Sequence, residues 1–481
     1  MSNKSLRAAT RLGALGCSVL VLSACSTLKV DGALTDVNGL VEERTKHSVS
    51  WQRDEASREQ ADSTAQRLLA KPLTMDSATQ IAFLRNPAIQ ASLVKIGIAQ
   101  ADVAQAGRMK NPVFSIGRVA GGGLLEVERQ FLFSLLSLFT IGPRTEIAKN
   151  QAERARYMSA LDIVGAADGV RRAWIEAVAA RERVRIMKRM YTSVEAAENL
   201  GMRLAAAGSM PPLDQARLKV AKAEVAALLG KSRLAAGSAR EKLIREMGVW
   251  GKDTKFKLPS RLPRLPKRAR VLRNIERTTL LSRLDVQAAR KDLEALQKTI
   301  GLTEFTSLVS LLEISGISAI EQEREDGGVR NRKTPAGFEA EVAIPIFDPG
   351  DVKVSRAKFV YMQAVEELKS LAINARSEVR EAYSGYHGAL ELYAHYRRTI
   401  VPLNKRITDE ELLRYNGMLA SVLDLLNAVR QQQAALLESL QARRDFWMAD
   451  AQLDFVLLAG GGKGISMTME VADAGGSDEE H

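Results

Sequence analysis

The chain has 481 residues and a formal net charge of +12, with two cysteines, four histidines and 13 prolines. Two cysteines exclude a disulfide-dense scaffold and a multi-cysteine metal site. The scattered His47, His387, His395 and His481 argue against a zinc centre, and haem or iron–sulfur chemistry has as little to hold on to. So few prolines among abundant Ala, Leu, Arg, Glu and Gln favour long helices over a β-sandwich. No metal or other cofactor is expected.

Lys4, Arg7 and Arg11 form a basic region ahead of an uncharged apolar stretch, Leu12 to Leu22. This is a secretory pattern, too short to span a bilayer as a helix. Leu22, Ser23, Ala24 and Cys25 resemble a bacterial lipobox. The resemblance implies removal of residues 1–24 and acylation of Cys25, and several acyl chains on one residue give a stable anchor. An ordinary signal peptide cut near Ala24, with Cys25 a plain thiol, is the other reading. Ser26, rather than Asp, follows the cysteine, which by the same resemblance points to the outer membrane. Residues 25–73 are then expected to be a lipidated, extended N-terminal segment. Loss of the three signal bases lowers the charge from +12 to +9. Nucleic acid is a poor partner for a secreted chain, and the dispersed bases read as solvated helix faces.

From Thr74 the pattern is helical, with Ile81, Ile89, Leu93, Ile96 and Val103 on one face. Asn111-Pro112 stops it. Val113 to Ala120 and Val127 to Ile141 read as strands around the turn at Gly121-Gly122-Gly123. Gly142-Pro143 opens a helix with no further proline before Pro211, about 100 Å long at ~1.5 Å per residue. Ala207-Gly208-Ser209 breaks the chain, and a second helix runs from Leu213 to about Met247. This first repeat, residues 74–249 with strands within 112–141, ends at a basic linker, 250–270, punctuated by Pro259, Pro263 and Pro266.

Residues 271–458 repeat the order. Arg270 to Ile300 reads as helix, Thr303 to Leu312 as strand, Glu313 to Pro335 as polar loop, and Gly337 to Phe347 as strand, placing the second pair within 303–347. In the last strand Phe338, Ala340, Val342 and Ile344 alternate with Glu339, Glu341 and Ala343. Asp348-Pro349-Gly350 opens a helix, Asn416-Gly417 breaks it, and a final helix runs to Leu458. The Gly-rich, acidic tail, 459–481, is expected to be disordered. The order helix–strand–strand–helix–turn–helix thus occurs twice, with Gly142 matching Gly350 and Gly208 matching Gly417. Two helices carry heptad spacing: Leu213, Ala216, Val220, Ala223, Ala227 and Leu234, then Val422, Leu426, Val429, Gln433, Leu436, Leu440 and Trp447.

Phenylalanine concentrates in the strand segments, whose lengths and alternation suit a lipid-facing barrel with water inside. Four strands cannot close a barrel, because lipid tolerates no open sheet edge. Three copies would supply twelve. A soluble sheet packed on helices is the competing reading. The chain has no G-x-S-x-G, P-loop or His-x-x-x-His, and enzymatic activity is not expected.

Arg85-Asn86-Pro87, Ile344-Pro345-Ile346-Phe347-Asp348-Pro349-Gly350, and Tyr415-Asn416-Gly417 followed by Val422-Leu423-Asp424-Leu425-Leu426-Asn427-Ala428 together resemble the TolC-like outer-membrane efflux (outer membrane factor) family, lipoprotein branch. The resemblance covers about Thr74 to Leu458. It implies a mainly α fold with a small transmembrane β part, assembled as a homotrimer with a twelve-stranded β-barrel continuous with a long periplasmic α-helical barrel. It implies lipid bilayer, a periplasmic adaptor (membrane fusion) protein and an inner-membrane efflux pump as partners, with passive conduction to the exterior. Asp424 matches the first acid of the family's periplasmic gate, and the second position is Asn427. Gly208, Ser209, Gly417 and Met418 match the adaptor-contact tip. Asp214, the counterpart of Asp424, is assigned to starting its helix. The alternatives are a lipid-anchored periplasmic coiled-coil scaffold without a pore, and the outer-membrane duct of a type I protein secretion system.

Overall fold

The computed structural model describes residues 30–121, 124–266, 268–309, 311–325 and 328–460. The lipobox and the acidic tail beyond 460 lie outside them. The helices are α1 (Val30–Thr45), α2 (Glu55–Leu69), α3 (Met75–Arg85), α4 (Pro87–Ala106), α5 (Leu135–Ala206), α6 (Pro212–Met247), α7 (Ile275–Ser282), α8 (Leu284–Leu308), α9 (Asp351–His395), α10 (Val401–Asn416) and α11 (Val422–Leu458). The strands are β1 (Val113–Gly121), β2 (Leu124–Ser134), β3 (Leu312–Glu325), β4 (Gly328–Lys333) and β5 (Ala336–Val342). The two-fold repeat of helix, strands, long helix, break and helix is present.

The long helix is α5, with 72 residues, about 108 Å at ~1.5 Å per residue. Its start corrects the sequence reading. The strand ends at Ser134, and Leu135 to Ile141 is already helical, with Pro143 inside. A short apolar run does not distinguish strand from helix by periodicity. Here Ser137 and Thr140 hydroxyls donate to the carbonyls of Ser134 and Leu136, at 2.7 and 3.0 Å, within the first turns.

In the second repeat the strands lie further along the chain than expected. Residues 303–308 extend α8, and the segment read as polar loop forms β3 and β4. The charge-rich end of β3 concealed its alternation. β4 and β5 both pair with β3. They are one strand interrupted near Pro335, which has no N–H for the ladder; the Ala319 N–H reaches the Pro335 carbonyl at 2.9 Å. The antiparallel order β1–β2–β3–β4/β5 therefore amounts to four strand positions.

Residues 30–69, expected to be extended, form two helices. Val37 and Val41 of α1 are buried in the main core, which is what orders this segment: helices this short are marginal without tertiary packing. The helix expected from Thr74 is two, broken at Asn86. That residue caps both: its N–H donates to the Ala82 carbonyl of α3 at 2.8 Å and its Oδ1 accepts from the Ala88 N–H of α4 at 2.9 Å, while its Nδ2 donates to the Glu246 carbonyl of α6 at 2.8 Å. Arg85 joins Asp62 at 2.8 Å and Asp253 at 3.1 Å. Ile81, Ile89, Leu93 and Ile96 pack inward as expected.

The basic linker is part of this core. Phe256, Leu258 and Leu262 are buried, and Arg240 lies over the Phe256 ring while donating to the carbonyls of Thr254 and Phe256, at 2.7 and 2.8 Å. The Leu73 N–H pairs with the Lys257 carbonyl at 2.8 Å. The prolines mark an extended strap rather than a free hinge.

The heptad expectation splits. On α11, Val422, Leu426 and Leu440 are buried. On α6 the buried seam is Leu218, Ala221, Val225, Leu229 and Ser232. The anticipated stripe is open: Leu213, Val220 and Leu234 are exposed. The helix has two apolar faces, and one protomer covers only one of them.

Candidate functional site

Three features bear on function: the two-faced sheet, the break between paired helices, and the ion pairs that fix α11 against α5. In the sheet, directly opposed residues share a face. One face carries Phe114, Ile116, Val127, Phe131, Ile314 and Phe338; the other carries Glu126, Glu128, Glu313, Glu321, Glu339 and Glu341. β1 and β2, with 9 and 11 residues, have the length of tilted membrane strands. Phe114, Ile116 and Phe338 are exposed in the protomer, an apolar surface of the kind that marks an interaction with membrane or partner. Among the described residues no helix is long and apolar enough to cross a membrane.

The two helix breaks share one geometry. After α5, the Gly208 and Ser209 N–H groups bond the carbonyls of Ala205 and Leu204, at 3.0 and 2.8 Å; after α10, those of Met418 and Leu419 bond Tyr415 and Arg414, also at 3.0 and 2.8 Å. Gly208 has φ +72° and Met418 has φ +61°. The structural match to Gly208 is thus Met418; the sequence pairing with Gly417 was off by one residue. Met418 is 94% exposed. An unbranched side chain held in the left-handed region costs about 1 kcal/mol relative to glycine, so this break presents a strained, bare thioether to solvent.

Asp424 and Asn427 stand on exposed positions of the first turns of α11. Asp424 has a local task that the sequence reading missed. Its Oδ2 accepts from the Ser421 N–H at 3.0 Å and the Ser421 hydroxyl at 2.7 Å, while its N–H donates to Ser421 Oγ at 3.1 Å. This is a reciprocal capping box, and Ser-x-x-Asp was its sequence signal. The Ser421 hydrogen bonds hold the Asp424 carboxyl below its ordinary range. Asp214 instead pairs with Arg217 at 3.1 Å in the first turn of α6, where an acid suits the helix dipole.

Away from the break, Arg171 and Arg270 both grip Asp450 and Asp454 of α11, and Arg172 pairs with Asp168 on α5. Burial pushes the Asp450 and Asp168 carboxyls up, opposed by the guanidiniums of Arg270 and Arg172 respectively. Arg443 meets Glu182 at 2.6 Å, and that carboxylate also receives the Leu262 N–H at 3.3 Å. These pairs bolt α5, α11 and the strap together. Asp168, Arg171 and Asp454 also line a cavity with Thr45, His47, Asp76 and Thr79.

Residues 277–458 match the family described as outer membrane efflux protein. The match lies wholly within the second repeat. No curated protein matches the chain in sequence. In fold it is similar to the Campylobacter jejuni CmeC outer membrane channel, with a TM-score of 0.67 at 15% identity over 89% of this chain and 93% of that one. The outer-membrane channel OprN gives 0.65 at 19% identity over 87% and 95%. The open state of the Neisseria gonorrhoeae MtrE outer membrane channel gives 0.65 at 16% over 80% and 89%. The matched segment contains α8, the strands β3 to β5, the helices α9 to α11, and both candidate gate positions. The first half repeats its architecture.

Proposed function

We propose that the chain is the outer-membrane duct of a tripartite efflux assembly, a homotrimer conducting substrates passively from an inner-membrane pump and periplasmic adaptor to the exterior. The observation that carries this reading is the sheet. Four phenylalanine and isoleucine positions, Phe114, Ile116, Phe131 and Phe338, gather on one face and six glutamates on the other, and its four strands cannot close on themselves in lipid. Three copies give twelve, an even number within the range of membrane barrels. The open stripe on α6, with Leu213, Val220 and Leu234 exposed, supports the same assembly, because heptad spacing fits it to a neighbouring helix. Acylated Cys25 would anchor the chain. The tip formed by Gly208, Ser209, Gly417 and Met418 faces the adaptor, and Asp424 and Asn427 line the periplasmic mouth. The duct performs no chemistry.

The test is conductance of the purified full chain in planar bilayers. Discrete steps are expected, and Asp424→Asn should increase their size by about twofold or more by removing like charges from a constriction. Ser421→Ala separates the two tasks of Asp424: it removes a helix cap, worth ~1 kcal/mol, but retains the carboxylate. It should lower thermal stability without reproducing the conductance increase. Equal conductance in wild type and Asp424→Asn removes Asp424 from the gate, and complete absence of steps removes the duct.

A further inference from the structure

From Lys257 to Arg277 the strap and the first turn of α7 sort their side chains by kind. Leu258, Leu262, Leu265 and Leu272 pack inward. Lys257, Arg261, Arg264, Arg268, Arg273 and Arg277 are exposed. Among the described residues none of these six bases enters an ion pair; Arg270, between them, is held by Asp450 and Asp454, and Glu276, the one acid in the stretch, by Arg380 at 3.1 Å. Exposed bases elsewhere find partners across helices, as Lys298 does in Glu146 and Arg430 in Glu224. A row of like charges repels itself, so this one calls for acid from beyond its own surroundings.

The chain carries that acid in residues 461–481, which lie outside the described residues. In sequence they hold Glu470, Asp473, Asp478, Glu479 and Glu480 against the single base Lys463. Where this segment leaves the fold is fixed beside the strap. Trp447 Nε1 of α11 donates to the Pro263 carbonyl at 3.3 Å, and the Ser282 hydroxyl at the end of α7 donates to the Leu457 carbonyl at 3.0 Å. Between these two ties, Leu265 and Leu272 pack against Phe446, Leu453 and Val456. From Trp447 to Leu458 the helix rises about 17 Å at ~1.5 Å per residue, so the row from Arg264 to Arg277 runs along its last turns. Glu470, the nearest of the acids, can extend about 33 Å from Gly460 at ~3.3 Å per residue. All five therefore reach the row.

We propose that the acidic segment 470–480 docks on the basic row of its own strap, an intramolecular clasp that screens this surface from external polyanions. The inference stands apart from the duct reading. Each exposed charge pair is weak by itself. Tethering makes the set effective, because a short linker holds its ligand at an effective concentration of about a millimolar. An outside acidic partner has to compete against that concentration. The clasp is electrostatic and solvent-exposed, so salt loosens it as the screening length falls to ~3 Å at 1 M.

The experiment is the binding of fluorescent polyglutamate to the detergent-solubilised full chain. Changing the five acids of the segment to Asn and Gln should tighten binding by about fivefold or more at ~50 mM salt, and the difference should vanish near ~1 M. Adding Arg261→Gln, Arg264→Gln and Arg268→Gln should abolish the gain. A direct readout comes from Arg264→Lys/Arg268→Lys, which keeps the charge and supplies amines. Carbodiimide treatment at low salt should couple those two positions to acids of 470–480 within one chain, seen in peptide maps of the band with single-chain mass. Polyglutamate bound equally well with and without the five acids leaves the strap to an external acidic partner and overturns the proposal. Coupling that is absent, or that joins only different chains, also overturns it. If polyglutamate binds neither form, the coupling alone decides.

Discussion

Replacing Arg283 by methionine is expected to destabilise the protein by about 3–5 kcal/mol. Arg283 is 1% exposed. Its Nε and Nη2 donate to the two carboxylate oxygens of Asp285 at 3.0 and 2.6 Å, and its Nη1 reaches Glu378 at 2.7 Å. Asp285 is buried too; its Oδ1 also accepts the Val286 N–H at 2.8 Å, and its own N–H reaches the Ala459 carbonyl at 3.4 Å. The cluster sits at the α7–α8 junction and ties it to α9 and to the end of α11. Without the guanidinium, Asp285 keeps a charge that has no partner and little water. Glu378 is half-buried and can turn outward, so Asp285 dominates the loss. Thermal unfolding of the detergent-solubilised full chain measures it. Arg283→Met/Asp285→Leu should recover much of the lost stability, since removing both members of a buried pair is close to neutral. A double variant no better than the single would show that packing, not charge, holds the junction.

Gly248→Ala is expected to cost about 3 kcal/mol or more, against about 1 kcal/mol for Gly208→Ala. The two glycines have nearly the same backbone, φ +69° and +72°. A side chain at either enters the left-handed region at roughly 1 kcal/mol. They differ in surroundings. A Cβ on Gly248 would lie 2.6 Å from Asn86 Cα and 2.9 Å from the Arg85 carbonyl oxygen, whereas one on Gly208 meets nothing within 4 Å. Backbone cannot move aside as a flexible side chain can, so the overlap must separate α3 and α4 from the end of α6. Apparent Tm values for the two variants give the comparison. Equal losses would mean that backbone angle alone sets the requirement for glycine.

The Gly248 contact also shows which parts of this fold can be read from sequence. Arg85-Asn86-Pro87 was legible as a motif, but its purpose was not. Asn86 serves two helix ends and also holds the carbonyl of Glu246, a partner 160 residues away. The long helices were readable because proline-free stretches and terminal glycines are local signals. Gly350 is the clearest: it opens α9 with φ +77°, and a Cβ there would overlap Ser307.

Where the sequence misled, the missing information was tertiary. Leu135 to Ile141 is apolar enough for strand or helix. The strand β3 looked like a loop because Ser315, Gly316 and Ser318 interrupt its apolar residues and its far end, Glu321-Gln322-Glu323, is polar on both faces. Residues 30–69 gave weak helical periodicity, and their burial against the core decides their form. The stripe of Leu213, Val220 and Leu234 had the right period but the wrong partner, since Leu218 and Val225 take the contact with α5. At the candidate gate, Asp424 was visible as a family position, whereas its capping box with Ser421, although local in the sequence, was missed.

A protomer with four strands cannot seal its own sheet. The most direct measurement is the mass of the full-length chain, extracted from outer membranes in detergent, by native mass spectrometry. Particles holding three copies are expected, which dissociate when Val127→Arg and Ile314→Arg add charge to the face that already holds Arg118 and Arg129. A single-copy particle, stable in buffer without detergent and unaffected by those two changes, would contradict it.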